Sequence, residues 1–192
     1  AIKILVKGLE ELPNNEDSLS YRYLLANCYE LENSIKDALY HWEKIVAIKS
    51  DFRDTQIKIN EYKSIIENEN LNYIFSSTMD ELQPLLAEII ARLNFNIISK
   101  TELNKNIYLY KAFNIKRTNE PPTLIYFHRT TRDITAVQIS DFIERAQNEK
   151  CKNNIYITTS DFDVKAVNTA MIGNIELINL KALDEIIDKV KE

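Results

Sequence analysis

His128 and Arg129, side by side in the run IYFHR, are the side-chain types best suited to proton transfer and to oxyanion binding. Neither has a carboxylate beside it, because 107–118 and 123–132 contain no Asp or Glu. A lone His in such a segment reads more readily as structural than as a general acid or base. Over 111–132, Lys111, Lys116, Arg117, Arg129 and Arg132 stand against Glu120 alone. They could contact an anion or nucleic acid, or they could be the solvated edges of a hairpin, where charge discourages edge-to-edge pairing.

The acids elsewhere are less suggestive. Glu88 falls on a helix flank, while Asp161 and Asp163 follow one strand-like run and precede a helix, where carboxylates commonly cap. The run TTSDF could hold an anion at a helix start, but its two nearby Asp would oppose it. Cys28 and Cys151 are far apart with no CxxC or Cys/His spacing, so neither a disulfide framework nor a zinc site is signalled. Phosphate-cradling and nucleophile-elbow patterns are absent, and only two Gly exist to build any. No metal and no cofactor is expected. A net charge of −5 and a pI near 5.3 argue against broad attraction to nucleic acid. No apolar run reaches the roughly 18 residues of a membrane span, so membrane contact by this segment is not expected. The opening at Ala1, in mid-helix, leaves a leader, an anchor or further repeats ahead of it open, and with them the compartment, cytoplasmic or envelope-associated.

Helical periodicity dominates the first 70 residues. Ile2, Leu5, Val6, Leu9 and Leu12 predict a helix stopped by Pro13, and a second starts near Ser18 or Ser20 with Tyr21, Leu24, Leu25, Cys28 and Tyr29 on its apolar side. A third runs from about Ser34 through Trp42 and Val46, and a fourth follows Asp51 or Asp54 through Ile65 and Ile66. Leu25, Ala26 and Tyr29, then Ala38 and Trp42, then Ser50 at the stop, resemble the tetratricopeptide repeat, a helix pair of about 34 residues. Ala1, Leu5, Gly8 and Pro13 fit the second helix of a preceding repeat; Arg22 and a three-residue insertion before Ser18 depart from the pattern. The resemblance implies protein binding, with Tyr23, Asn27 and Glu30 facing a groove from one helix and Ile57 and Glu61 from the next. Composition and repeat pairing also resemble repeat proteins of AT-rich spirochaetes of the Borrelia type, some of which partner envelope-associated proteins.

After a polar joint at 67–72 the pattern changes, which predicts two domains, 1–72 and 73–192. A helix at about 79–93 precedes strands at 96–100, 107–115 and 123–129, the last two separated by Pro121–Pro122. A helix through Val137 and Ala146, a strand at 155–158, a helix at 163–171, a strand at 175–180 and a helix at 181–191 complete the chain. This order predicts an α+β or α/β fold, a sandwich with a central mixed sheet behind N-terminal helical hairpins. The stretch 153–183, with ITTSDF, two Ala and then IELI and Leu180, resembles the closing part of the restriction-endonuclease-like fold of the Mrr family.

That resemblance implies metal-dependent phosphodiester cleavage by an Asp in the second strand and a Glu or Gln, one residue and a Lys in the third. Tyr108, Phe127 and Arg129 stand at those positions, and aromatic rings cannot supply the hard oxygens that Mg²⁺ requires. The expectation is therefore a chain that is not an enzyme: an adaptor or scaffold acting through another protein. The alternative is a nucleic-acid-binding relative of the nucleases using the basic residues of 111–132.

Overall fold

The computed structural model describes residues 1–32 and 34–191, which divide into two compact units, Ala1–Ser76 and Ser77–Glu192. The first is helical: α1 (Ile2–Glu10), a 3-10 turn (Glu16–Ser18), α2 (Leu19–Leu31), α3 (Ile35–Ile48), α4 (Thr55–Glu67) and α5 (Glu69–Ser76). Small side chains set its closest approaches. A Cβ on Gly8 would lie 2.9 Å from the Tyr21 ring, so α1 meets α2 at a residue with no side chain. Ala26 and Ala38 are fully buried where α2 meets α3, and they share one core with Leu19, Ile35, Trp42, Ile45, Ile59 and Tyr62. The Trp42 ring stacks on Tyr62 with centroids 5.1 Å apart, which ties α3 to α4.

The expected polar joint at 67–72 is instead mostly the start of α5. Asn68 caps it by accepting a bond from the Leu71 N–H at 3.0 Å, and Leu71 and Ile74 are buried. Of the residues that resembled a linker, Asn68 is the cap, Glu69 is exposed and Asn70 is buried.

The second unit opens with a turn in which Thr78 and Glu81 bond reciprocally: Thr78 N–H to Glu81 Oε2 at 2.7 Å and Glu81 N–H to Thr78 Oγ1 at 3.3 Å. It continues with α6 (Gln83–Arg92), β1 (Phe95–Asn104), β2 (Ile107–Asn114), β3 (Thr123–His128), α7 (Ala136–Asn148), β4 (Ile155–Thr158), α8 (Val164–Gly173), β5 (Glu176–Ile178) and α9 (Leu180–Lys191). One sheet runs β1-β2-β3-β4-β5, antiparallel from β1 to β3 and parallel from β3 to β5. A helical region followed by a mixed five-stranded sheet is an α+β architecture consistent with the restriction-endonuclease-like fold. The first strand is longer than its apolar pattern suggests, because its outer half is a mostly exposed edge whose charged residues hide the period, and two register shifts interrupt it.

Alternation along the strands sorts the sheet's two faces. Leu109, Leu124 and Tyr156 join Ile139, Phe142 and Ala146 of α7 and Ala166 and Ala170 of α8. Tyr108 and Tyr110 point the other way and meet Asp80 and Gln83 around the start of α6. The Asp163 carboxylate caps α8 by accepting from the Ala166 N–H, and a Cβ on Gly173 would come 2.3 Å from Ile143 Cδ1, so α7 and α8 touch at a glycine.

Candidate functional site

Tyr108, where the resemblance leads one to expect a metal-binding Asp, lies opposite Phe127 in the β2/β3 ladder; both rings are buried. The Tyr108 hydroxyl is nonetheless surrounded by polar groups. Asp80 Oδ1, from the turn before α6, lies 3.4 Å away, and Glu102 Oε2, from β1, lies 3.5 Å away. The Lys100 ammonium sits 5.1 Å from the Tyr108 ring centroid. Beside it, the Tyr110 hydroxyl donates to Gln83 Oε1 at 3.4 Å. Burial first, with the Glu102 and Asp80 charges adding to it, raises the Tyr108 pKa and keeps the phenol protonated.

Sequence reasoning missed this grouping because it weighed β2, β3, Glu88, Asp161 and Asp163 but neither Asp80 nor Glu102. Lys100 and Glu102 are two apart in β1 and so share a face, and the register sets them opposite Tyr110 and Tyr108. That alternation in Lys100-Thr101-Glu102, next to a strand bearing tyrosines, was the available signal. Two carboxylates and a lysine are the groups from which Mg²⁺ and phosphate contacts are made, since Mg²⁺ commonly takes one or two protein carboxylates and completes its shell with water and phosphate. Among the described residues, no cluster of three or more His, Cys, Asp and Glu is arranged to hold a metal ion.

The five basic residues of 111–132 do not gather. Lys111 points to α7 and pairs with Glu149 at 3.0 Å, a bond that raises its pKa. Lys116 and Arg117 lie in the β2–β3 connection, where Arg117 meets Glu120 at 3.6 Å. Arg129 and Arg132 fall at the opposite end of the ladder, beyond the Ile107–His128 pair. Arg129 is buried, and it donates to the carbonyls of Ser77 and of Lys105, the latter at 2.9 Å. It pins chain segments together, and burial lowers its pKa without discharging it. Its expected role as an anion contact is corrected on that ground. His128 is also structural: its Nδ1 lies 2.9 Å from the Tyr156 hydroxyl, and burial pushes its pKa down to about 4. Burial raises the pKa of the Cys151 thiol as well, which suppresses thiolate chemistry there. Asp161 accepts from Asn179 Nδ2 at 2.7 Å, and Glu88 is exposed on α6.

In the helical unit, Tyr23 is half-buried and donates to Asp54 Oδ1 at 2.7 Å, a bond that raises its pKa. Asn27 is half-buried beside it, while Ile57 and Glu61 are exposed on α4. Glu30 differs from expectation. It is buried and accepts bonds from the Lys58 ammonium at 2.6 Å and the Tyr62 hydroxyl, so it joins α2 to α4 and does not face a groove. The resemblance put it on the groove side with Tyr23 and Asn27, but the Lys58 and Tyr62 side chains of α4 close over it.

With this geometry established, the comparisons assign a class. A family model described as a restriction endonuclease, Mrr_cat, matches residues 76–187, more than half of the chain. The chain belongs to the Mrr_cat restriction endonuclease family. No curated protein matches the sequence. The expectation of a chain that is not an enzyme is overturned by this membership, which points to a possible nuclease. That expectation did not weigh Asp80 and Glu102, which lie within 3.5 Å of the Tyr108 hydroxyl.

Proposed function

We propose that the helical unit docks a partner protein, so that the chain brings its restriction-endonuclease-family unit to that partner as an adaptor or scaffold. The observation that carries this reading is on α2 and α4, where Tyr23 is fixed by Asp54, the N-cap of α4, and Ile57, three residues further on, is 62% exposed. Fixed aromatics and exposed aliphatics are residue types from which interface anchors are made. The two fully buried alanines at the α2/α3 contact, with Trp42 behind them, support a tetratricopeptide-like helix pair, whose residue spacing the sequence also follows. The test is a pull-down from the source cell with the intact chain and with Ile57→Asp. A partner retained by the parent and lost by the variant, at equal helicity, is the expected result. An identical set of retained proteins for both would exclude this face.

A second reading, favoured by family membership and by the Asp80, Glu102 and Lys100 grouping, is phosphodiester cleavage by residues 77–191. Here the two carboxylates would hold a divalent ion, and Lys100 would stabilise charge developing on phosphate. Plasmid nicking in Mg²⁺ or Mn²⁺ is then expected to fall about 100-fold or more in Asp80→Asn and in Glu102→Gln, in line with the loss of an electrostatic catalytic group. Metal-dependent nicking that survives both substitutions would remove these residues from the site. If the unit binds DNA without cutting it, affinity should appear without metal and fall steeply with salt, carried by Lys116, Arg132 and Lys100.

A further inference from the structure

The hairpin of α1 and α2 leaves an apolar groove open. Gly8 meets the Tyr21 ring, and from that contact Tyr21, Leu24, Cys28 and Leu31 recur at helical spacing along α2, a stripe about 15 Å long. Leu24 is 51% exposed and Leu31 59%, and Ile4 of α1, which lines the groove with Cys28 and Leu31, is 77% exposed. The open end of the groove has a volume of about 570 Å³. Despite its amphipathic pattern, α1 has no buried residue. A straight apolar stripe exposed beside a second helix is a seat for a further helix.

The charges along the groove decide which helix fits. They run from Lys3 and Glu32 at the open end, past Lys7, to Glu10, Glu11, Glu16 and Asp17 around the connection from α1 to α2. Arg22, the cation at that acidic end, is bonded to Asn14 and Ser18. Lys3, Lys7, Glu10 and Glu11 form no ion pair among the described residues, although Lys7 stands three and four positions before the two acids. With Lys3 in its first turn and acids at its last residue and C-cap, α1 also carries charges in the reverse of the order its dipole favours. A helix that complements this surface has acids beside the start of α1 and bases beside its end. Run antiparallel, α1 itself is such a helix. We propose that a second copy of the chain occupies the groove, hairpin against hairpin about a two-fold axis, with the two α1 helices antiparallel. The lysine-bearing half of each α1 then lies beside the glutamate-bearing half of the other, and Ile4, Leu24 and Leu31 of both copies are covered in a four-helix arrangement. Because the contact is isologous, each pairing is made twice. The proposal does not rest on the partner-docking reading above.

The test is sedimentation equilibrium of the intact chain over a range of concentrations, with circular dichroism to establish equal helicity. A reversible dimer that weakens with salt is expected. Leu24→Asp and Leu31→Asp, each at an exposed position, should leave only monomer. Lys3→Glu with Lys7→Glu, and separately Glu10→Lys with Glu11→Lys, should each raise the dissociation constant about tenfold or more, because each turns attraction across the axis into repulsion. Mixing these two charge-reversed proteins should restore association, since one α1 is then wholly acidic and the other wholly basic. Ile57→Asp, on α4, should dimerise as the parent does. A chain that stays monomeric at every concentration would overturn the proposal, as would a dimer that survives both Leu24→Asp and Leu31→Asp. A dimer lost in those two variants but indifferent to both charge reversals would overturn the antiparallel pairing of α1.

Discussion

Replacing Tyr108 with Asp is expected to destabilise the 77–191 unit by about 4 kcal/mol or more. The phenol ring is fully buried against the α6 side of the sheet, and truncating a large buried aromatic alone typically costs ~3–5 kcal/mol. The new carboxylate would also have to ionise inside the core, near the Asp80 and Glu102 charges that already surround this position. Against a typical domain stability of ~5–15 kcal/mol the variant would be marginal. Tyr108→Phe, by contrast, should cost about 1 kcal/mol or less, because the hydroxyl contacts at 3.4 and 3.5 Å are long. Urea unfolding of the three proteins separates these outcomes, and a Tyr108→Asp midpoint equal to that of the parent would show that the ring is not a core residue.

Acidification should weaken the same unit through His128. Burial holds its folded pKa at about 4, below the ordinary value near 6.5, so the imidazole is neutral in the folded state. Above pH 6.5 neither folded nor unfolded chain carries this proton, and the contribution to stability is fully present. As the pH falls from about 6.5 to about 4 the unfolded chain takes up a proton that the folded one refuses, and about 3 kcal/mol is lost. The neutral ring nitrogen lies within hydrogen-bond distance of the Tyr156 hydroxyl, while Tyr126 and Tyr156 stack at 4.8 Å beside it. The drop in unfolding free energy between pH 7 and pH 4.5 should therefore be larger in the parent than in His128→Gln. Parallel pH profiles would show that His128 does not govern this loss.

The elements were legible wherever one face of a segment is buried and the other is wet. Ile139, Phe142 and Ala146 announced α7 by their spacing, and the continuous apolar run Ile155-Tyr156-Ile157 announced a central strand. The outer half of β1 and the whole of α5 were less legible for opposite reasons. An exposed edge strand has no buried face to impose a period, and α5 carries its apolar residues behind a run of Asn and Glu. The site was harder to read than the fold, because sequence distance says little about which acids converge. Asp80 and Glu102 are 22 positions apart, yet both lie within 3.5 Å of one hydroxyl. Glu30 makes the complementary point: the repeat resemblance implied a groove residue, and only the reach of Lys58 and Tyr62 from α4 makes it a buried, paired one.

The order of the sheet bears on how the chain folds as it is made. Every strand from β1 to β5 lies beside its own neighbour in sequence, so no pairing waits for a distant segment. The first hairpin is closed by only two residues, 105 and 106, with the Asn106 N–H bonded to Asn104 Oδ1 at 2.9 Å. Such a hairpin forms in about 1–10 μs, while synthesis adds about 5–20 residues each second. Each later strand thus emerges to find its edge already built, and the β3-to-β5 segment can be laid down one helix and one strand at a time. During synthesis the exposed growing edge is always the one that the next strand will cover, which limits the time in which a wrong partner could pair with it.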